Sequence, residues 1–383
     1  MLGGRINRRR VLAMAAVTLL AGCQVVPRVE PQNVPAPTPT PTGLPSDQGR
    51  HRVALLVPLS GPNSDVGQAI ANAATMALLD TNADNVRITT YDTATGAGSA
   101  AARALSDGNK LILGPLLSDD VTPVLARARP AGVPIITFSN DSSVAARDVF
   151  AMGISPDASI ARTVGYAIGR GAKRFAILVP DGDYGARAEA ALRTAVAARG
   201  GALVARDTYD PGNTSIISAA LRLKKKGGYD AVLLPESARL SIQAAGSLRA
   251  AGAVTPLLLG TERWSGDPAV PGSAALRGAL FSGVSDGRFG QFAESYRSRF
   301  GTAPHRIATL GYDAVLLTIR LARNWKPGST LPTGRLVQSD AFLGVDGAFR
   351  FHPNGTIERA MEVRQVGKGR IDVVSPAPDR FED

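Results

Sequence analysis

"RVALLVPLSG", residues 52–61, followed by "VGQAIANAATMALLD", residues 66–80, decides the fold. The first segment is a run of Val, Leu and Ala ended by Pro, Ser and Gly, with no polar alternation. Such a run reads as a strand buried on both faces. The second carries its apolar residues at helical spacing. A buried strand followed by an amphipathic helix is the first part of a βαβ unit, and it implies a parallel sheet covered on both sides.

The same alternation continues outward from that pair. "VRITTYDT" (86–93), "KLILGPL" (110–116) and "VPIITFS" (133–139) read as strands, with helices in "GSAAARALSDG" (98–108) and "VTPVLARARPAG" (121–132). Near Pro156 the rhythm restarts. "DASIARTVGYAIGRGA", "YGARAEAALRTAVAARG", "SIISAALRLKKKG" and "LSIQAAGSLRAAG" have helical spacing, and "RFAILVPD", "ALVARDTYD", "YDAVLLPES" and "PLLLGTE" read as strands. Two further helices follow in "FGQFAESYRSRFG" and "GYDAVLLTIRLARNW". Residues 344–374 then alternate as strands, with turns at Asp346-Gly347 and Asn354-Gly355. Asn-Gly between strands is a strong hairpin signal. A length of 383 residues exceeds one ordinary core, so two α/β lobes of similar size are expected. Apolar residues at 44% and charged residues at 20% fit a globular chain.

The N-terminus has a different character. Val11 to Gly22 is apolar, is preceded by Arg5, Arg8, Arg9 and Arg10, and ends in small residues. It is too short to span a bilayer, which takes about 20 residues, and this three-part plan predicts a secretory signal over residues 1–22. Those four arginines leave +7 of the formal +11 on the remaining chain. The densest basic run there, Lys224-Lys225-Lys226 before Gly-Gly, suits a helix C-terminus. No aromatic residues interleave with a basic stripe, which argues against nucleic acid as a partner. Residues 24–50 are rich in Pro and Thr and cannot build a core. Extended at about 3.1 Å per residue, they reach on the order of 80 Å and read as a tether.

Leu20-Ala21-Gly22-Cys23 resembles the lipobox of bacterial lipoproteins, and Cys23 is the only cysteine of the chain. The resemblance implies a Cys23 thioether to lipid at the mature N-terminus, with the membrane as a partner through that anchor only. Gln24 in place of Asp then favours delivery to the outer membrane. "NRRRVL" (7–12) loosely resembles a twin-arginine export signal, and a plain basic leader explains it as well.

"VALLVPLSG", "LILGPLLS", "VPIITFS", "RFAILVPDGDYG" and the "GVDGAFRF…NG" tail are similar, in order and spacing, to the leucine/isoleucine/valine-type periplasmic binding proteins over residues 51–375. That family implies the α/β fold of two doubly wound parallel-sheet lobes joined by three crossovers, with ligand between them. Crossings near 155, 283 and 327 are expected. The first lobe would then hold 51–155 with 284–326, the second 156–283 with 327–375, and 376–383 would form a tail. Ligands in open α/β sheets lie beyond the carboxyl ends of strands. By the resemblance, Ser118 corresponds to the serine that takes a ligand carboxylate, Tyr184 to the cleft tyrosine and Glu262 to the acid that takes the ammonium group. Ser60 lies in the first such loop. Asn140, Asp141 and Ser142 replace the family's usual small residue and Thr, and Ser237 stands where an aromatic is often found. Their other role is as loop and N-cap residues of an altered cleft.

The hairpin "FRFHPNGTIER" (349–359) with Pro376-Ala377-Pro378 also looks like lipoproteins of the penicillin-binding protein activator type. That likeness and the tether imply a non-enzymatic regulator of peptidoglycan synthesis whose partner is a penicillin-binding protein. The alternative is a solute-binding lipoprotein serving an ABC permease, with an amino acid or similar small polar ligand. "GVSDG" (283–287) matches the nucleophile-elbow pattern but falls at an expected crossing, and His305 and His352 have no orienting motif. No Walker loop, HExxH or His/Cys cluster occurs, so no cofactor or metal is expected. Asp181-Gly182-Asp183 lacks the spaced ligands of a calcium loop.

Overall fold

A computed structural model describes residues 49–249, 255–338, 341–378 and 381. The leader, Cys23 and the tether up to residue 48 lie outside the described residues. Within the described residues no helix is long and apolar enough to cross a membrane.

The opening strand β1 (His51–Val57) shows why its run lacks polar alternation. Val53, Leu55 and Val57 face one core, packed on Ile70 and Ala74 of α1 (Ser64–Thr81) and on Leu310 and Leu317 of a late helix. Ala54 and Leu56 face the opposite core, against Ala100, Ala101 and Ala104 of α2 (Ala97–Ser106). Both faces are covered, so every position from Val53 to Val57 is apolar.

β2 (Val86–Asp92), β3 (Leu111–Leu113), β4 (Ile135–Thr137) and β5 (Val149–Ala151) complete a parallel sheet in the order β2-β1-β3-β4-β5, and α3 (Val121–Ala128) lies after β3.

The second lobe repeats the device. α4 (Pro156–Gly169) is capped by Ser155, whose Oγ accepts from Asp157 N, with Pro156 at the first helical position. β6 (Arg174–Pro180) sends Phe175, Ile177 and Val179 toward α4 and α5 (Asp183–Ala197). Ala176 and Leu178 face α6 (Ser215–Lys226) and α7 (Ala238–Arg249). With β7 (Ala202–Tyr209), β8 (Ala231–Leu233), β9 (Leu257–Leu259) and β10 (Leu280–Gly283), the parallel part of the sheet runs β10-β9-β8-β6-β7. The lysine triplet does end α6. Gly227 comes next at φ 59°, and Lys226 Nζ donates to the carbonyl of Arg206 at 2.6 Å.

The chain passes between lobes at 152–155, at 284–288 and at 360–361. α8 (Phe289–Phe300) and α9 (Thr309–Ala322) return to the first lobe. The crossing expected near 327 does not occur there, because the chain stays with the first lobe well beyond that point. Trp325 stacks on His51, with ring centroids 4.2 Å apart, and Leu331, Leu336, Phe342, Phe349 and Phe351 are buried in the first lobe's core. An antiparallel sheet of β11 (Phe342–Gly344), β12 (Gly347–Phe351) and β13 (Ile357–Arg359) therefore belongs to the first lobe. Only β14 (Glu362–Val366) and β15 (Ile371–Ser375) join the second, antiparallel to β10 and to each other.

The β12–β13 turn docks on β5: Ala151 N donates to the carbonyl of Gly355 at 2.9 Å. Gly355 has φ 83°, and a Cβ there would collide with the backbone of Val149 and Ala146. Gly355→Ala is expected to cost at least about 2 kcal/mol, read as a lower denaturation midpoint at unchanged cooperativity.

Candidate functional site

The decisive side chain is placed by the segment Gly260-Thr261-Glu262-Arg263-Trp264 after β9. Trp264 is almost fully buried; its Nε1 donates to the Glu236 carbonyl and to Ser241 Oγ, both at 3.1 Å. Its ring fills the space a Cβ at residue 260 would need, which is why glycine stands there. With Trp264 anchored, the turn Glu262–Trp264 directs Glu262 out of the second lobe.

Tyr184 Oη, at the start of α5, donates to Glu262 Oε1 at 3.0 Å and lies 3.1 Å from Thr261 Oγ1. Glu262 Oε2 is buried and has no hydrogen-bond partner among the described residues. Burial pushes the Glu262 carboxyl up to about 7, against the opposing pull of the Tyr184 hydrogen bond. Burial likewise raises the Tyr184 phenol, with the Glu262 charge adding to it. The Arg263 guanidinium covers the Tyr184 ring at 4.9 Å from its centroid. Behind them Glu236, itself buried, accepts from Tyr209 Oη at 3.0 Å and from Ser237 N at 2.6 Å.

Glu262 and Arg263 face a cavity of about 430 Å³ between the lobes. Leu116, Leu117, Phe138 and Leu310 of the first lobe line it, with Ile154 and Val284 from the first two crossings. Arg306 stands at the first-lobe side of this cavity. Its Nη1 reaches Asp346 Oδ1 at 2.6 Å, its plane covers Phe289 at 4.3 Å, and its Nε is buried without a partner among the described residues. The site is thus a mainly apolar chamber with polar groups at few points, among them one buried carboxylate oxygen left to accept a donor and the two arginines Arg263 and Arg306.

Of the residues singled out from the sequence, Glu262 and Asn140 line this cavity and Tyr184 holds Glu262. The others have local partners. Ser60 Oγ donates to Asp92 at 2.9 Å, and Ser118 Oγ donates to Asp119 at 3.3 Å. Asp141 accepts from Ser143 N and pairs with Arg187 at 3.4 Å. Ser142 Oγ donates to Asp157 at 2.6 Å, and Ser237 gives its N–H to Glu236. Arg263 and Arg306 were not anticipated. Arg306 precedes α9 by only a few residues, and nothing in its neighbourhood marks it as a cleft residue.

The segment "GVSDG" forms the second crossing. Ser285 Oγ accepts from Gly287 N, while Asp286 pairs with Arg364 at 2.7 Å and with Arg306 at 3.5 Å. Arg364 also donates to the Val284 carbonyl and to Glu362, tying this crossing to β14.

A family model described as "Periplasmic binding protein" matches residues 51–370. The chain is a periplasmic binding protein. As members of this family are, it is a protein of the periplasm, and several of its solved neighbours are described as solute- or leucine-binding proteins.

A Rhodospirillum rubrum protein, described as a candidate branched-chain amino acid ABC transporter, superposes with a TM-score of 0.75 at 21% identity over 85% of this chain and 100% of its own. The leucine-binding protein LivK of Thermotoga maritima gives 0.64 at 21% identity over 86% and 99%. LpoA of Haemophilus influenzae gives 0.68 at 19% identity, over 85% of this periplasmic binding protein and 58% of LpoA. A curated relative, the uncharacterized protein RP748 of Rickettsia prowazekii, is 27% identical over 178 residues. That match spans 46% of this chain and about half the length of the relative, 47%.

Proposed function

We propose that this periplasmic binding protein takes a small ligand with an ammonium group and an apolar body into the interlobe cleft, as the solute receptor of an ABC importer. The buried, unpartnered Oε2 of Glu262, in a chamber whose walls are mainly apolar side chains, carries this reading. An ionised carboxylate in such a place needs a cation or a strong donor. Tyr184 and Arg263 hold and shield it from the protein side. The likeness to LivK and to the Rhodospirillum protein agrees with this role.

The Ser118 hydroxyl, already engaged with Asp119, makes a poor partner for a ligand carboxylate unless it rotates. In this reading the amine is the recognised end, and Arg263 and Arg306 are the groups on the cavity wall able to meet a carboxylate. A thermal-shift series with 3-methylbutylamine, L-leucine and L-lysine tests this. A ligand at 100 Kd stabilises by about 2.7 kcal/mol. A saturable rise in Tm lost in Glu262→Ala supports the reading, and no response to any amine refutes it.

A second reading has its own support: activation of a penicillin-binding protein by contact, with the cleft specialised or silent. The likeness to LpoA and the proline-rich stretch before residue 51 favour it. Capture of a purified peptidoglycan synthase in the absence of any amine response would establish it over the receptor. Both readings place lipid on Cys23, residues 1–22 as the leader, 23–50 as the tether, and the outer membrane as the anchorage. Cys23→Ser is expected to move the protein from the membrane to the soluble periplasmic fraction.

A further inference from the structure

Behind the hinge, away from the ammonium seat of Glu262, lies a second and larger cavity of about 560 Å³. It opens where the first and third crossings run side by side. The N-terminal turn of α4 and the β12–β13 hairpin form its walls, and Pro378 and Phe381 lie over it. Three arginines face it: Arg162, Arg199 and Arg359.

Their hydrogen bonding is uneven. Arg162 is occupied, donating to the Met361 carbonyl at 3.0 Å, to Ser375 Oγ at 2.7 Å and to the Pro376 carbonyl at 3.0 Å. Arg359 is only 6% exposed. Its Nη2 reaches the Met152 carbonyl at 2.7 Å, while Nε and Nη1 are buried with no partner among the described residues. Arg199 is exposed; its backbone N–H donates to the Val196 carbonyl at 3.2 Å, and its guanidinium makes no hydrogen bond or ion pair among the described residues.

The acids facing the same cavity are already engaged. Asp157 accepts from Ser142 and Ser155 at 2.6 and 2.9 Å, and Glu358 pairs with Arg350 at 2.8 Å. Asp346 and Asp313 lie near enough to act on the charge of Arg359, but neither borders the cavity. The cavity therefore offers arginine N–H groups with no unengaged carboxylate beside them, and a buried guanidinium with idle N–H groups is costly.

We propose that this hinge cavity is a second binding site, for a small organic oxyanion whose carboxylate or phosphate head is held by Arg359 with Arg199 at the mouth. The volume exceeds that of a bare anion, and Ile357, Ala161 and Phe381 provide contact for an apolar or neutral body. Arg359 bridges β13 to the Met152 carbonyl at the first crossing, so a ligand here touches two of the three connections on which the lobes turn. Asn140 borders both cavities, whereas Arg359 and Arg199 do not border the interlobe cleft.

Titrations of the full-length protein with inorganic phosphate, phenyl phosphate, acetate and phenylacetate, at constant ionic strength in chloride, test the proposal by isothermal calorimetry. Saturable one-site binding of at least one of these is expected, tighter for the phenyl member of its pair. The preferred head group distinguishes phosphate from carboxylate. Arg359→Lys should weaken binding about tenfold or more. Arg199→Gln, which removes only an exposed charge, should weaken it about two- to fivefold without affecting folding. Glu262→Gln should leave it unchanged. No saturable binding, or binding insensitive to Arg199→Gln, overturns the proposal even where Arg359→Lys fails to fold.

Discussion

Glu262→Gln is expected to stabilise the protein at pH 8 by up to about 3 kcal/mol and to abolish any stabilisation by amines. The reason is the environment of one carboxyl group. Burial raises its pKa from 4.5 to about 7, and each unit of that displacement is worth about 1.4 kcal/mol. Between those two values the folded protein keeps a proton that the unfolded chain releases. The unfolded state thus binds fewer protons, and stability falls as pH rises. The loss is absent below pH 4.5 and complete above pH 7. Gln keeps the shape and can still accept from Tyr184 Oη, yet carries no charge to desolvate. The two proteins should be of similar stability near pH 4 and diverge up to about pH 8. An amine removes the wild-type penalty by supplying the missing donor, so its affinity should rise with pH up to about 7 and then level off.

Other groups act in the same range and must be separated, among them Asp120, which burial also raises. Asp313 is pushed up to about 7 by burial and then by the charge of Asp346, and it adds a fall of the same sign. Burial of His51 lowers its imidazole below 6.5, so that its share of stability rises with pH up to that value. All are common to wild type and variant, so the difference between their urea midpoints against pH isolates Glu262. A difference that is flat from pH 4 to 8 would sink the assignment of Glu262 as a buried acid.

What the sequence makes legible differs from element to element. The long strands were legible because burial on both faces leaves a continuous apolar run, as in β1 and β6. No strand was assigned to β5 or β10, which are three and four residues long. The third crossing was misplaced because alternation reports that a face is buried but not which lobe buries it. Phe349 and Phe351 read as a strand in either lobe, and only the stacking of Trp325 on His51 and the core around Leu336 fix the choice. In the cleft, Glu262 was recoverable because its turn follows a strand end, where an open α/β sheet presents its ligands. Ser118 occupies a similar position, but its hydroxyl is taken by its sequence neighbour Asp119, a choice of rotamer that spacing does not encode. Nothing local in the sequence sets Arg306 or Arg359 apart; what distinguishes them is tertiary, burial for Arg359 and the ion pair with Asp346 for Arg306.

Asp346→Ala should be the most damaging of the substitutions, at about 3–5 kcal/mol. The sequence marks Asp346-Gly347 only as a turn, and the β11–β12 connection is indeed tight, with Gly347 at φ 86°. Yet Asp346 is 0% exposed. Its carboxylate accepts from Arg306 Nη1 at 2.6 Å and from Thr309 Oγ1 at 2.7 Å, and its backbone N–H donates to Asp313 Oδ2 at 3.3 Å. Val345 N donates to Asp313 Oδ1 at 2.7 Å. The turn thus inserts its backbone and one carboxylate against α9, with Arg306 and Arg359 as the nearby cations.

Alanine would leave Arg306 without its closest anion in a place water reaches poorly, and a stranded charge costs more than the pair contributes. If that is the cause, removing the cation as well should recover part of the loss. Arg306→Met in the Asp346→Ala background is expected to be more stable than the sum of the two single changes predicts, by about 1–3 kcal/mol. Strict additivity would instead mean that Asp346 acts through the turn backbone and Thr309. Because Arg306 also borders the ligand cavity and touches Asp286 at the second crossing, the same pair links core stability to the hinge. Asp346→Asn, which keeps the shape and removes the charge, should fall between wild type and Ala in urea midpoint.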